Sequence, residues 1–221
     1  MNELNKVTPE ATNNPSKEVE TGSEQLHHYQ LERLASFGEE RVYNNPIIFA
    51  GDSIIEFFPL KKFLGRDYPL VNRGIAGTDS IWLLNHLEEQ VLKFSPIKLV
   101  IAIGVNDLGR GYPIADIINR LAELVGQIKI FLPQTTLYVQ SVLPVNESPA
   151  YADKVKVRRN TAIQELNTRL ALLSGIEFID GYDLLLDETG QLAEPYTTDG
   201  LHLTQEGYAR LAPAFKAVLE E

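Results

Sequence analysis

The chain contains no cysteine. Disulfide scaffolds, thiolate zinc sites, iron–sulfur clusters and cysteine nucleophiles are therefore excluded. Positive charge is also in short supply: 20 Lys+Arg stand against 30 Asp+Glu, a net charge of −10 with histidine neutral. That balance argues against a broad nucleic-acid or anionic-membrane surface, because both need a basic face. No run approaches the ~18 apolar residues of a membrane span. A secretory signal needs a positive start and an apolar stretch of roughly 7–15 residues. Residues 1–25 offer only Met1, Leu4, Val7, Ala11 and Val19, scattered among polar residues. They read as a mobile polar tail that cannot bury enough surface to offset its ordering entropy. A cytoplasmic location is the corresponding expectation.

What is present is enough for one core. The 221 residues are 44% hydrophobic, the scale of a single large domain, expected to span residues 26–221. Leu26, Tyr29, Leu31, Leu34, Phe37 and Val42 recur near helical spacing and predict an N-terminal helix ending before Asn44-Asn45-Pro46. Ile47–Ala50 is too short for a helix and rich in strand formers, so it predicts a strand buried on both faces. Tyr68–Asn72, Lys98–Ile103, Thr136–Val142 and Ile176–Ile179 have the same character. Helix-length stretches lie between and after them, at Asp79–Phe94, Pro113–Phe131, Asp153–Ser174 and Thr204–Leu219. Five short strands alternating with amphipathic helices predict an α/β domain, a parallel sheet with helices on both faces.

In such sheets ligands bind beyond the carboxyl ends of the strands, so the residues just after each strand carry the functional question. Ser53 follows the first strand in Gly51-Asp52-Ser53. It reads either as a helix N-cap or as a nucleophile beside its own backbone N–H, and the two are compatible. A serine hydroxyl needs a base. His27 and His28 are adjacent and cannot share a helical face, and His86 falls within a helical stretch. His202 instead follows Asp199 by three residues, just before the last helix. Asp–x–x–His on one turn lets the carboxylate accept the Nδ1–H and leaves Nε2 as the base; a solvated loop pair is the plainer alternative. Oxyanion donors have two candidates, the Gly74–Gly77 turn and Asn106 in Gly104-Val105-Asn106-Asp107, each of which also serves as an ordinary turn residue.

Taken together and in this order, Gly51-Asp52-Ser53, Gly77 within Asn72–Asp79, Gly104–Asp107 and Asp199-Gly200-Leu201-His202 resemble the SGNH/GDSL hydrolases. Asn72–Thr78 and Asp199–Thr204 look most like the platelet-activating-factor acetylhydrolase branch. The resemblance implies a three-layer flavodoxin-like sandwich with strand order 2-1-3-4-5 and a serine esterase that uses no metal or cofactor. By motif position it implies Ser53 as nucleophile, His202 as base and then acid, and Asp199 as orienting carboxylate. The Ser53 N–H, the Gly77 N–H and the Asn106 side chain would form the oxyanion hole. The family's leucine after the serine is Ile54 here.

Ile54, Val105 and Leu201 each adjoin a candidate catalytic residue and are bulky and apolar. They predict a crowded acyl side that favours acetyl and other short esters, graded because one methylene is worth only ~1–3 kcal/mol. The expected partner is a small ester, with no nucleic acid; a homodimer is worth testing on the resemblance alone. The rival readings are a phosphate- or nucleotide-binding module with Gly74–Thr78 as an anion nest, and a non-catalytic binding domain. The first lacks a Walker lysine or a Gly-x-Gly-x-x-Gly fingerprint. The second is at odds with the filled catalytic positions.

Overall fold

A computed structural model of the chain describes residues 15–40 and 43–220. Five strands form one parallel sheet in the order β2-β1-β3-β4-β5: β1 (Ile47–Gly51), β2 (Leu70–Gly74), β3 (Lys98–Ala102), β4 (Thr136–Gln140) and β5 (Glu177–Ile179). β1 lies in register between β2 and β3, with Gly51 opposite both Gly74 and Ala102. The three strand ends therefore finish side by side. This is the predicted flavodoxin-like order, with each expected strand present and its limits moved by only a few residues.

Alternation along the strands divides the interior into two cores. Ile48, Ala50, Leu99, Ile101, Leu137 and Val139 face one way. Ile47, Phe49, Val100, Ala102 and Tyr138 face the other. The first core is closed by α4 (Ser80–Asn85), α5 (Leu87–Gln90), α6 (Val105–Gly109), α7 (Ile114–Phe131), α8 (Ala152–Val155) and α9 (Asn160–Leu170). The amphipathic α7 turns Ile117, Leu121, Leu124, Val125 and Ile128 inward, the spacing of one helical face. The second core is closed by α2 (Ser53–Glu56), α3 (Leu60–Phe63), α10 (Gln205–Leu211) and α11 (Lys216–Glu220).

Three of the expected helices are interrupted. His86 ends α4, its N–H and Nδ1 each lying 3.0 Å from Trp82 O, and α5 follows. The stretch Asp153–Ser174 breaks at Lys156, whose φ of 55° leaves the helical region. Pro213 cannot continue the ladder of α10, so Ala212–Phe215 tightens into a 3₁₀ turn before α11. The N-terminal helix also differs from expectation. α1 runs from Pro15 to Ser36, reaching back into the predicted tail, with a proline where a first helical turn tolerates one. It ends earlier than Val42, in successive i→i−3 bonds from Phe37, Gly38 and Glu39. The remainder of the predicted tail, residues 1–14, lies outside the described residues.

α1 and the turn after it pack through Leu34 and Phe37 against Ile75, just beyond β2. Gln30 Nε2 donates to Ala76 O at 3.1 Å, Arg33 Nε donates to Gly74 O at 3.4 Å, and the Tyr29 hydroxyl donates to Glu56. Burial, then the Glu56 carboxylate, pushes the Tyr29 phenol up to about 12. The helix thus clamps the loop that follows β2.

Candidate active site

Ser53 begins α2 directly after β1, and Asp52 caps that helix by accepting from Ile54 N at 2.9 Å. Asp52 rather than Ser53 is therefore the helix cap, and Ser53 stands at the first helical position, lining the groove. Two residues lock the short helix from behind. Asn72 Nδ2 donates to Ile55 O at 2.6 Å while its Oδ1 accepts from Gly74 N at 2.9 Å. The Tyr208 hydroxyl, from α10, donates to Ile54 O at 2.8 Å.

The loop before α10 carries the base candidate. Asp199 Oδ1 accepts from Leu201 N at 3.0 Å and His202 N at 2.8 Å, which folds the Asp–x–x–His turn. Asp199 Oδ2 lies 2.7 Å from His202 Nδ1, and His202 Nε2 lies 2.9 Å from Ser53 Oγ. Burial alone would push the Asp199 carboxyl up, but the His202 and Leu201 hydrogen bonds outweigh it and hold the group below the usual carboxylate range. A carboxylate that fixes one ring nitrogen while the other meets a hydroxyl is an arrangement able to take the hydroxyl proton. His27, His28 and His86 stand apart from it; His86 stacks on Trp82, with ring centres 4.0 Å apart.

The predicted oxyanion groups converge on the same groove. Gly77 turns the chain at φ +76°, a conformation that favours glycine. Neither its N–H nor that of Ser53 has a hydrogen-bond acceptor among the described residues. Asn106 Nδ2 donates to Thr78 O at 2.9 Å. Its Oδ1 accepts from Arg158 Nη2 at 3.0 Å, so the NH₂ end points toward the Gly77 side. Asp107 is fully buried and accepts from Ser80 N at 3.0 Å, tying α6 to the start of α4. Burial pushes its carboxyl up, against the hydrogen bonds from Ser80.

Ser53, Phe57, Gly77, Asn106, Leu201 and His202 line one open groove of about 480 Å³. Of the three residues predicted to crowd the acyl side, only Leu201 lines it. Ile54 and Val105 correct that expectation: they belong to the two hydrophobic cores and line a separate cavity of about 20 Å³ with Asp52. The reason is helical geometry. Each immediately neighbours a groove residue within a helix, and a one-residue step rotates the side chain by ~100°. Phe57, four residues after Ser53, takes that place instead, its ring 5.7 Å from the His202 ring.

Arg158 and Phe57 are the site residues that sequence reasoning missed. Arg158 is buried and donates to Val105 O as well as to Asn106. No local motif marks it, since the partners that bring it to the site, Val105 and Asn106, lie in α6. The anion nest of the rival binding-module reading, at Gly74–Thr78, is already engaged: Ala76 N donates to Glu56 Oε2 at 2.5 Å, and Thr78 N donates to Ile75 O. Among the described residues no group of three His, Asp or Glu is placed to hold a metal ion, and no helix is long and apolar enough to cross a membrane.

A five-stranded parallel sheet that delivers Gly-Asp-Ser, Gly, Asn and Asp–x–x–His motifs to one groove defines an acylhydrolase-type protein. The chain belongs to the GDSL-like lipase/acylhydrolase family, whose model matches residues 49–210. It is 23% identical over 171 residues to the human platelet-activating factor acetylhydrolase IB subunit alpha2, covering 75% of this chain and 72% of that one. A structure from Streptococcus pneumonia, described as a platelet activating factor, is 33% identical with a TM-score of 0.88, over 92% of this chain and 99% of that one. A GDSL-like lipase from Bacteroides thetaiotaomicron is 26% identical with a TM-score of 0.72, over 88% and 97% of the two chains. Family membership makes the chain a hydrolase of the esterase class.

Proposed function

We propose that this protein is a serine esterase that hydrolyses short-chain esters, acetyl esters foremost, through an acyl-enzyme. The single observation that carries the reading is the continuous chain Asp199–His202–Ser53, with steps of 2.7 and 2.9 Å. In the first half-reaction Ser53 Oγ attacks the ester carbonyl as His202 Nε2 takes the hydroxyl proton. The Ser53 and Gly77 N–H groups and Asn106 Nδ2 donate to the oxyanion, each worth about 10²–10³ in rate. Collapse breaks the C–O bond, and the departing alkoxide takes the proton back from His202. In the second half-reaction water loses a proton to His202, attacks the acyl carbon, and releases the carboxylic acid with Ser53 restored.

The short-acyl preference rests on the space available. Ser53 opens on the groove, and the nearby cavity between Ile54 and Val105, about 20 Å³, holds about one water molecule and not an alkyl chain. Leu201 and Phe57 crowd the rim. The human relative is named an acetylhydrolase, which agrees with a two-carbon acyl group.

The test is intact mass after exposure to a fluorophosphonate, together with hydrolysis of 4-nitrophenyl acetate, butyrate and octanoate. Wild type is expected to gain one adduct, Ser53→Ala none, and His202→Ala an adduct at a much slower rate. Absence of an adduct on folded wild type would overturn the serine mechanism. Rates rising steadily from acetate to octanoate would overturn the acyl preference.

A further inference from the structure

We infer that Glu56 is a positioning residue of this site: its carboxylate fills the place in the loop after β2 where a free anion would otherwise bind, and so holds the Gly77 N–H for the oxyanion. This rests on the esterase reading above and extends it to a residue that touches no reacting atom. Glu56 follows Ser53 by three positions on α2, so the two side chains leave neighbouring points of one helix. The Glu56 side chain is 11% exposed and reaches across to the loop. Its Oε2 accepts from Ala76 N at 2.5 Å, its Oε1 accepts from the Tyr29 hydroxyl, and Arg33 Nε lies 3.8 Å from Oε1. An ionised acceptor makes such bonds roughly twice as strong as neutral ones. Among the described residues, no other side chain of α2 bonds to this loop, since Ser53 Oγ turns to His202 and the remaining two are aliphatic.

The backbone shows what this grip controls. Ala76 is held at both of its main-chain groups, its N–H by Glu56 and its carbonyl by Gln30 Nε2 at 3.1 Å. In a trans peptide the carbonyl and the following N–H point in opposite directions. Fixing Ala76 O against α1 therefore turns the Gly77 N–H the other way, and Gly77 lines the groove. The other end of the link is equally firm. A Cβ on Gly74 would overlap the Glu56 backbone, so the end of β2 and α2 are in direct contact. The Glu56 bond thus sets the spacing between two N–H donors, one opening α2 and one in the loop. Backbone N–H groups in such turns are natural anion sites, and here the chain supplies the anion itself. Without that carboxylate the Ala76 N–H loses its acceptor, and a gap of carboxylate size is left for a small external carboxylate to enter.

The test measures 4-nitrophenyl acetate hydrolysis and thermal midpoints for the full chain as wild type, Glu56→Ala, Glu56→Asp and Glu56→Gln. Each is assayed with sodium formate and with sodium chloride at equal ionic strength. Glu56→Ala is expected to lose about 10–10²-fold in kcat with KM nearly unchanged, the scale of a misplacement of about 1 Å in the transition state. Formate should restore much of that kcat in a saturable way and leave wild type unchanged. Glu56→Gln should keep most of the wild-type kcat, because its amide oxygen can accept from Ala76 N while its NH₂ donates to Tyr29. Glu56→Asp keeps the charge but falls one methylene short, and should be slow. The inference is overturned if folded Glu56→Ala keeps the wild-type kcat, loses in KM instead, or gains nothing from formate. Should Glu56→Ala lose its cooperative thermal transition, the other two variants decide, and equal kcat values for Glu56→Gln and Glu56→Asp overturn the inference. If wild type neither labels with a fluorophosphonate nor hydrolyses the ester, the esterase reading itself falls.

Discussion

Arg158 Nη2 donates to Asn106 Oδ1 at 3.0 Å, from a guanidinium that is buried and anchored on three backbone carbonyls besides. An amide has one acceptor end, and Arg158 occupies it. The NH₂ end is thereby committed to Thr78 O and to the groove. Burial lowers the Arg158 pKa, with the nearby Asp52 carboxylate opposing that shift.

Asn106→Ala is therefore expected to lower kcat for a neutral acetate ester by about 10²–10³-fold. Arg158→Met, which leaves the amide unanchored, should lower kcat by about ten- to a hundredfold with little change in KM. The double variant should be little worse than Asn106→Ala, because both changes act on one donor. Additive losses in steady-state kinetics would show that Arg158 acts by some other route.

Removal of the three linked side chains should rank them. Ser53→Ala and His202→Ala are expected to abolish nearly all turnover, while Asp199→Asn should lose about one to two powers of ten less. Equal losses in all three would mean that the carboxylate does more than orient the ring.

Stability should carry a second pH signature, from Asp52. Burial, reinforced by Asp107 and opposed by the Ile54 N–H and Arg158, pushes this carboxyl up to about 7. The folded state then holds a proton that the unfolded chain releases near pH 4. Stability from this group is complete below that value and declines as pH rises toward 7. Asp52→Asn keeps the acceptor for Ile54 N and removes the ionisation. Urea midpoints measured between pH 4 and 8 should decline less steeply in this variant than in wild type.

The clamp from α1 predicts an effect at a distance from the reacting atoms. Gln30→Ala frees Ala76 O, next to Gly77, and is expected to lower kcat several-fold at little cost in stability. Gly77→Ala should cost about 1–2 kcal/mol, because a Cβ at φ +76° is strained and would meet Leu26 and Gln30 at 3.1–3.2 Å. Chemical denaturation and initial rates on the same samples separate the two effects.

The parts legible in sequence were those governed by near neighbours. Ile47–Ala50 declares itself a strand by composition, and Asp199 and His202 declare a pair by spacing. What escaped depended on distant partners. The helix break at Lys156 is fixed by Arg159 and Ala152 in a loop whose residues have ordinary helical propensity. Arg158 gains its role only when α8 and α9 meet α6. Ile54 and Val105 adjoin groove residues in sequence but face the cores in space, a distinction that rests on helix phase. The reach of α1 back to Pro15 also lacked a signal, because its first turns have no apolar stripe.

Ser53 and His202 are separated by 149 positions along the chain, and the groups meant for the oxyanion lie entirely in the first half. As the chain is made, the sheet can gather the serine, the glycine turn and Asn106 long before any base exists to use them. Only when the loop before α10 docks, with Tyr208 reaching back to Ile54 O, does the hydroxyl meet its imidazole. On the proposed mechanism, the base is thus contributed after the nucleophile and the oxyanion groups in chain order. Ester turnover would report completion of the final folding step rather than formation of the sheet.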